Sequence, residues 1–343
     1  MTGIVPVARS LRVNKILLPV LLLSLRLTAL AQTFYLPTAN QALFEKGGEE
    51  KFFVPTPGHT WTSGCFGCVR SGGRQMHEGL DIKCLQRDKR GEPTDPVMAT
   101  ANGTVMYMSD HPSLSNYGRY IVLRHNIGGL DIYSLCAHLS AFAPGLKAGQ
   151  PVSAGQKIAV MGHTGAGISR ERAHVHFELN LFYNDHFSAW FKKHYPTIHD
   201  DHGVWNGQNL VGMDPRLILL AEHAEGPHFN LVQWLQHRPE LCRVLVRKTD
   251  FSWPKRYPML VNTQSGAPPS RIAGYEIALD FNGLPFELIP RSASQMPGTA
   301  KYQLLSVNEA EYTKNPCRRL VARQGKHWQL SSNGISLLDL LTY

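Results

Sequence analysis

The chain of 343 residues has no apolar stretch of membrane-spanning length. Its most apolar segment, Ile16 to Leu25, is short, carries Pro19 and is closed by Arg26, whereas a spanning helix needs roughly 20 residues. It has no block of roughly five or more basic residues, so an arm-like nucleic-acid binder is excluded although Lys and Arg outnumber Asp and Glu by 35 to 26. It has no H-E-x-x-H segment, which excludes the site that places two histidines and a glutamate on one helix. Only one C-x-x-C occurs, at Cys65 and Cys68. A thiolate zinc site would need Cys84 and Cys136 to stand in for the missing second pair. Charged residues are few, at 18%, and hydrophobic ones make up 43%, the balance of a folded chain rather than a disordered one. The length allows two domains with substantial cores, which is the expectation, or one large domain with long insertions.

What is present begins with an export signal. Arg9, Arg12 and Lys15 precede the apolar stretch, and Ala29-Leu30-Ala31 follows it as a small-residue cleavage site. Residues 1–31 are therefore expected to be removed, leaving Gln32 as the first residue and no integral membrane segment. The product is expected in the periplasm or outside the cell. Residues 1–31 hold four basic residues, Arg9, Arg12, Lys15 and Arg26, and no acidic one, so their removal takes the net charge from +9 to +5, a modest surplus that suits a polyanionic or acidic polymer. Six cysteines in an exported chain point to disulfides. Cys65, Cys68, Cys84 and Cys136 allow three pairings, and Cys242 with Cys317 is the only pair available if the two parts are bridged separately.

The pattern along the chain is strand and turn. Residues 32–57 are a polar, Pro-containing lead-in. Asn102-Gly103 and Asn126 to Gly129 each separate two β-prone runs, which reads as hairpins. Gly149 and Gly155 punctuate short extended pieces, and Ala173 to Leu181 reads as a further strand. Helical periodicity is scarce here, so the fold class is mainly β: an antiparallel domain at 58–220, followed at 225–343 by a second β-rich module of unassigned type. Asp185 to Leu210 reads as an inserted surface loop.

With 16 histidines in the chain, the His174-x-His176 pair alone carries little weight. Its setting in a strand gives it meaning, because residues two apart share a face, so both imidazoles point one way while Val175 and Phe177 point into a core. His77-Glu78-Gly79-Leu80-Asp81 supplies an imidazole and a carboxylate, with Gly79 giving backbone freedom. His138 closes another strand. His125 precedes a turn and is expected to stabilise it, while His186, His194, His199 and His202 are loop histidines.

Taken together, His77-x-x-x-Asp81, Ala137-His138-Leu139-Ser140 and His174-x-His176-Phe177-Glu178, the last following Gly162-His163-Thr164-Gly165, resemble the lysostaphin-type or LytM-domain zinc metallopeptidases. Pro96-Val97-Met98-Ala99, Tyr117 to Val122, Ala148-Gly149-Gln150 and Ala154-Gly155-Gln156 fall in the same order, and the resemblance covers about Gly58 to Ile218. It implies one zinc ion per chain held by His77, Asp81 and His176, with His138 and His174 as the catalytic pair and peptidoglycan as the partner. Three protein ligands leave the open position that a catalytic zinc needs. Glu178 shares a face with His176 and is expected to support it. The sequence departs from the family at Ile168 to Ala173, which replaces a shorter Ser-Thr-Gly-Pro approach to the His-x-His strand. The expected function is that of an exported zinc endopeptidase of peptidoglycan peptides, in wall remodelling or in lysis of other bacteria. The other reading is a catalytically inactive relative that binds the wall and activates an amidase.

Overall fold

The computed structural model describes residues 1–3 and 33–343. The expected export signal therefore lies almost wholly outside the described residues. Among the described residues no helix is long and apolar enough to cross a membrane.

The first part contributes twelve strands: β1 (Gly67–Arg70), β2 (Gln75–His77), β3 (Leu80–Lys83), β4 (Pro96–Met98), β5 (Gly103–Ser109), β6 (Tyr120–Ile127), β7 (Leu130–Ala137), β8 (Ala141–Phe142), β9 (Pro151–Val152), β10 (Lys157–Val160), β11 (His174–Phe182) and β12 (Leu210–Met213). Seven of them form one sheet in the order β12-β11-β7-β6-β5-β9, with β3 also paired to β11. Every pairing in it is antiparallel. β11 is the second strand from one edge and is buried along its whole length. β3 covers the first half of one edge and β12 the second. The mainly β, antiparallel class expected from the sequence is the one observed.

The β6–β7 hairpin closes through Gly128 and Gly129, flanked by the Ile127–Leu130 pair. Both glycines take left-handed φ, 57° and 86°, as a tight two-residue turn requires. The other expected hairpin does not form. β4 belongs to a three-stranded sheet with β10 and β8, while β5 lies in the large sheet, so Asn102-Gly103 carries the chain from one sheet to the other. The segment read as a surface loop contains a helix, Phe187–His194, that buries Phe187, Trp190 and Phe191. Their i, i+3, i+4 spacing is a helical signal in an otherwise irregular stretch.

The lead-in is also built into the core. Phe34, Leu36, Leu43, Phe52 and Phe53 are buried, and the backbone N–H of Phe34 donates to Glu222 at 2.9 Å.

The second part supplies β13 (Cys242–Val246), β14 (Ile272–Leu279), β15 (Pro285–Ser292) and β16 (Tyr302–Val307), an antiparallel sheet ordered β15-β14-β13-β16, then a hairpin of β17 (Val321–Gln324) and β18 (His327–Leu330). One hydrophobic cluster runs from Phe34 to Leu341 through both parts. Buried polar groups cross the seam as well. The N–H of Phe182 donates to Tyr257 at 2.8 Å, the Tyr183 hydroxyl to the Gly283 carbonyl at 2.9 Å, and the Asn282 amide to the Gly212 carbonyl at 2.8 Å. The expected Cys242–Cys317 disulfide is absent. Cys317 is bonded instead to Cys68, 249 residues away, and Cys65, Cys84, Cys136 and Cys242 are free thiols. Cys242 sits inside β13, buried, whereas Cys317 lies in a loop facing β1. The pairing follows from the two parts being packed together rather than bridged separately.

Candidate metal centre

The register of β11 against its neighbours assembles the site. His176 lies opposite Asp81 of β3 on one side and opposite Ala137 of β7 on the other, so His138, the next residue, stands at the same level. His77 ends β2 and approaches from the turn that leads into β3. Gly79 in that turn is needed for space rather than for a left-handed dihedral, since a Cβ there would lie 2.3 Å from the Phe177 carbonyl oxygen.

Three donor atoms converge. His77 Nε2 is 3.0 Å from Asp81 Oδ1 and 3.2 Å from His176 Nδ1, and His176 Nδ1 is 3.1 Å from Asp81 Oδ1. All three residues are buried. Ligands at 2.0–2.1 Å around a tetrahedral ion stand about 3.3 Å apart, so these spacings suit a zinc-sized ion. Among the described residues this is the one grouping of three or more His, Cys, Asp or Glu donors that fits a metal. The four first-part cysteines do not form such a site, since Cys68 is held in the disulfide.

Each imidazole of the site has one nitrogen tied down. His77 Nδ1 donates to the Cys65 carbonyl at 2.7 Å, His138 Nδ1 to the Thr164 carbonyl at 2.9 Å, and His174 Nδ1 to the Arg172 carbonyl at 2.6 Å. His176 Nε2 donates to Glu178 Oε1 at 2.8 Å. A carbonyl only accepts, so the first three rings carry hydrogen on Nδ1 and a lone pair on Nε2. Glu178 thus stands behind His176 in the supporting place expected for it, and it also accepts from the Tyr117 hydroxyl at 2.7 Å and the Asn180 amide at 2.9 Å. Burial and the negative charge of Glu178 keep the Tyr117 hydroxyl protonated well beyond its usual range, so it remains a donor.

His138 and His174 face each other with ring centroids 4.8 Å apart, and His138 is 5.7 Å from His176. Burial, reinforced by the neighbouring His174 and His176, holds His138 well below the ordinary imidazole range, so it stays neutral. Its backbone is left-handed at φ 63°, a cost of order 1–3 kcal/mol for a residue other than glycine.

Two further groups were invisible to sequence reasoning. Arg70, the last residue of β1, donates to Asp81 Oδ2 at 2.5 Å, and the Cys65 carbonyl orients His77. Nothing in the spacing of a lone arginine or of a backbone carbonyl marks them. Of the other histidines, His125 is buried between the Asn102 carbonyl and the Ser134 hydroxyl, so its ring ties β6 to the Asn102 segment and to β7 and does not brace the Asn126 turn as expected. His202 meets the Tyr107 hydroxyl. The site opens into a cleft of about 550 Å³ whose walls include Arg70, Tyr117 and Ile168.

The model of peptidase family M23 matches residues 75–187. The murein hydrolase activator NlpD of Escherichia coli (strain K12) is 34% identical over 131 residues, which are 36% of this chain and 29% of that protein. Lipoprotein NlpD of Yersinia enterocolitica is 38% identical over 92 residues, 27% of this chain and 84% of that protein. The chain thus spans less than a third of the Escherichia coli relative. A solved zinc-containing peptidase from Vibrio cholerae is 30% identical, with 30% of this chain and 26% of that one covered and a TM-score of 0.24. The chain belongs to peptidase family M23.

Proposed function

We propose that this protein is an exported zinc endopeptidase that hydrolyses peptide bonds of bacterial peptidoglycan. The observation that carries the reading is the complete constellation in one cleft: three buried donors about 3 Å apart, and two more histidines beside them. His77, Asp81 and His176 would hold the ion, one per chain. When bound, zinc supplies Lewis acidity that activates a water and polarises a carbonyl. The chain's residues do the rest. His138, neutral and with its Nε2 lone pair available, takes the proton of the attacking water. His174, across from it, donates to the developing oxyanion or the leaving amine when a second proton is on its Nε2, its Nδ1–H staying on the Arg172 carbonyl. Tyr117 and Glu178 keep the His176 ring from rotating. The Cys68–Cys317 disulfide fits an oxidising compartment such as the periplasm.

A second reading, activation of another wall hydrolase without cleavage, is favoured by the names of the NlpD relatives. Digestion of purified sacculi separates the two. Released muropeptides, abolished by a strong chelator and restored by zinc, support the peptidase. No release by zinc-loaded protein alone, with release only when an amidase is added, supports the activator.

A further inference from the structure

Beside the metal cleft lies a second pocket of about 310 Å³, within the range of small-molecule sites. Glu78 and Tyr117 line both cavities, and Glu78 directly follows His77, so the two are adjacent compartments of one groove. The far wall comes from the last module: Arg318, Asn282, Asn333 and Leu337 among others. Of all the residues lining this pocket only two are charged, Glu78 and Arg318, one of each sign.

These two charges are near each other but not consumed by each other. Arg318 Nη2 and Glu78 Oε1 are 3.7 Å apart, with both side chains more than a third exposed, too far for a hydrogen bond. The Arg318 fork is held by its Nε, which donates to Asn282 Oδ1 at 2.8 Å, and Asn282 is itself tied to Gly212 of the first part. Its backbone is anchored on both sides, by the Cys317–Cys68 disulfide before it and by Asn333 donating to the Arg318 carbonyl at 3.0 Å. A fixed guanidinium with unused terminal N–H groups is a receptor for a carboxylate. The Glu78 carboxylate opposite it is a receptor for an ammonium. Trp190, buried in the same wall, also has an indole N–H without a protein partner among the described residues, and a buried donor of that kind calls for an acceptor.

We propose that this pocket binds a free α-amino-acid group, an ammonium and a carboxylate on one carbon, carried on a side chain of the peptide that lies in the metal cleft. The carboxylate sits on Arg318 and the ammonium on Glu78, and the last module thereby acts as the wall of a substrate subsite. The inference deepens the wall-peptide reading above and rests on it for the identity of the peptide. The pocket's preference for the zwitterion is tested without catalysis.

The test measures equilibrium binding to the full mature protein by calorimetry, with two synthetic stem tetrapeptides that differ only at the third residue. One carries diaminopimelate, whose side chain ends in the zwitterion, and the other carries lysine, whose side chain ends in an ammonium alone. The wild type should bind the first at least about tenfold more tightly, the scale of a charge-assisted pair. Arg318→Met should bring the ratio to within about threefold. Glu78→Gln, a change of one exposed group that leaves the disulfide and Asn282 untouched, should weaken both peptides by a similar factor of about threefold, since both carry the ammonium. Arg318→Lys, which keeps the charge but loses the planar fork, should reduce the preference and decides the matter if Arg318→Met fails to fold. A wild-type ratio near one, a ratio that survives in the folded Arg318 variants, or affinities for both peptides unchanged in Glu78→Gln overturns the proposal. Because the readout is binding, a protein that digests no sacculi still shows whether the pocket prefers the zwitterion, so failure of the peptidase reading and failure of the subsite are told apart.

Discussion

Arg70 donates to Oδ2 of Asp81 at 2.5 Å and thereby leaves only Oδ1 to face His77 and His176. A carboxylate with one oxygen committed to a guanidinium is restrained to monodentate binding, which keeps a coordination position of a bound ion free for water and substrate. Arg70→Ala should free Oδ2 to chelate. Zinc affinity is expected to change by about tenfold or more, the usual scale for a group that orients a metal ligand. The visible absorption of the cobalt-substituted protein should weaken as coordination number rises. Unchanged affinity together with an unchanged cobalt spectrum would show that Arg70 does not govern the ligand.

The roles of the remaining histidines separate by metal content. His138→Ala and His174→Ala should each keep about one zinc per chain and lose on the order of a hundredfold or more in turnover, the scale for removing an acid–base or oxyanion group. His176→Ala should lose both, because its Nδ1 is one of the three donors. Zinc analysis beside a sacculus assay distinguishes these outcomes. A His174→Ala protein free of zinc would move that residue into the ligand set.

Much of the site was legible because its residues obey strand parity. His174 and His176 share a face whatever the details of the sheet, and Asp81 is brought opposite His176 by a register that the backbone alone determines. What supports them was not legible. Arg70, the Cys65 carbonyl and the Thr164 carbonyl act through long-range contacts that leave no local pattern. The disulfide escapes the sequence for a related reason: pairing Cys242 with Cys317 presumes separate folding units, and the packing of β1 against the Cys317 loop is a tertiary fact. Asn102-Gly103 has the residues of a hairpin turn, yet the strands it joins find partners in different sheets. Phe187, Trp190 and Phe191 did carry a helical spacing, but it was hidden among the polar and aromatic residues of one irregular stretch.

His125 makes stability depend on pH. Burial pushes its pKa down to about 4, while in the unfolded chain an imidazole titrates near 6.5. Below about 6.5 the unfolded state therefore binds a proton that the folded state refuses, and stability falls as pH drops from about 6.5 toward 4. The full effect is on the order of 3 kcal/mol. His125→Gln, which keeps a donor for the Asn102 carbonyl and an acceptor for Ser134, should flatten that part of the profile. Urea unfolding of both proteins at pH 7 and pH 4.5 measures it. Parallel losses in the two proteins would assign the acid sensitivity to other groups.

The metal centre and the last module should prove inseparable. A chain ending at Glu225 retains His77, Asp81, His138, His174 and His176. By motif content alone it is expected to fold and bind zinc, but the structure argues otherwise. Its loss would leave the Phe182 N–H without Tyr257 and the Tyr183 hydroxyl without Gly283, and would expose the side of a cluster that includes Phe66 and Phe281. Unpaired buried polar groups cost about 1–3 kcal/mol each, and burial of large apolar side chains contributes about 1.5–3 kcal/mol each. Several such losses exceed the 5–15 kcal/mol that a domain has in hand. The truncated chain should therefore be insoluble or lack a cooperative unfolding transition. The milder change tests the same seam: Cys317→Ser should fold but unfold with about 2–5 kcal/mol less stability. It should also hold zinc more weakly, since Cys68 lies between the Cys65 carbonyl and Arg70, the two groups of one segment that position His77 and Asp81. A truncated chain that melts cooperatively and binds zinc as tightly as the full protein would show that the shared core is dispensable to the site.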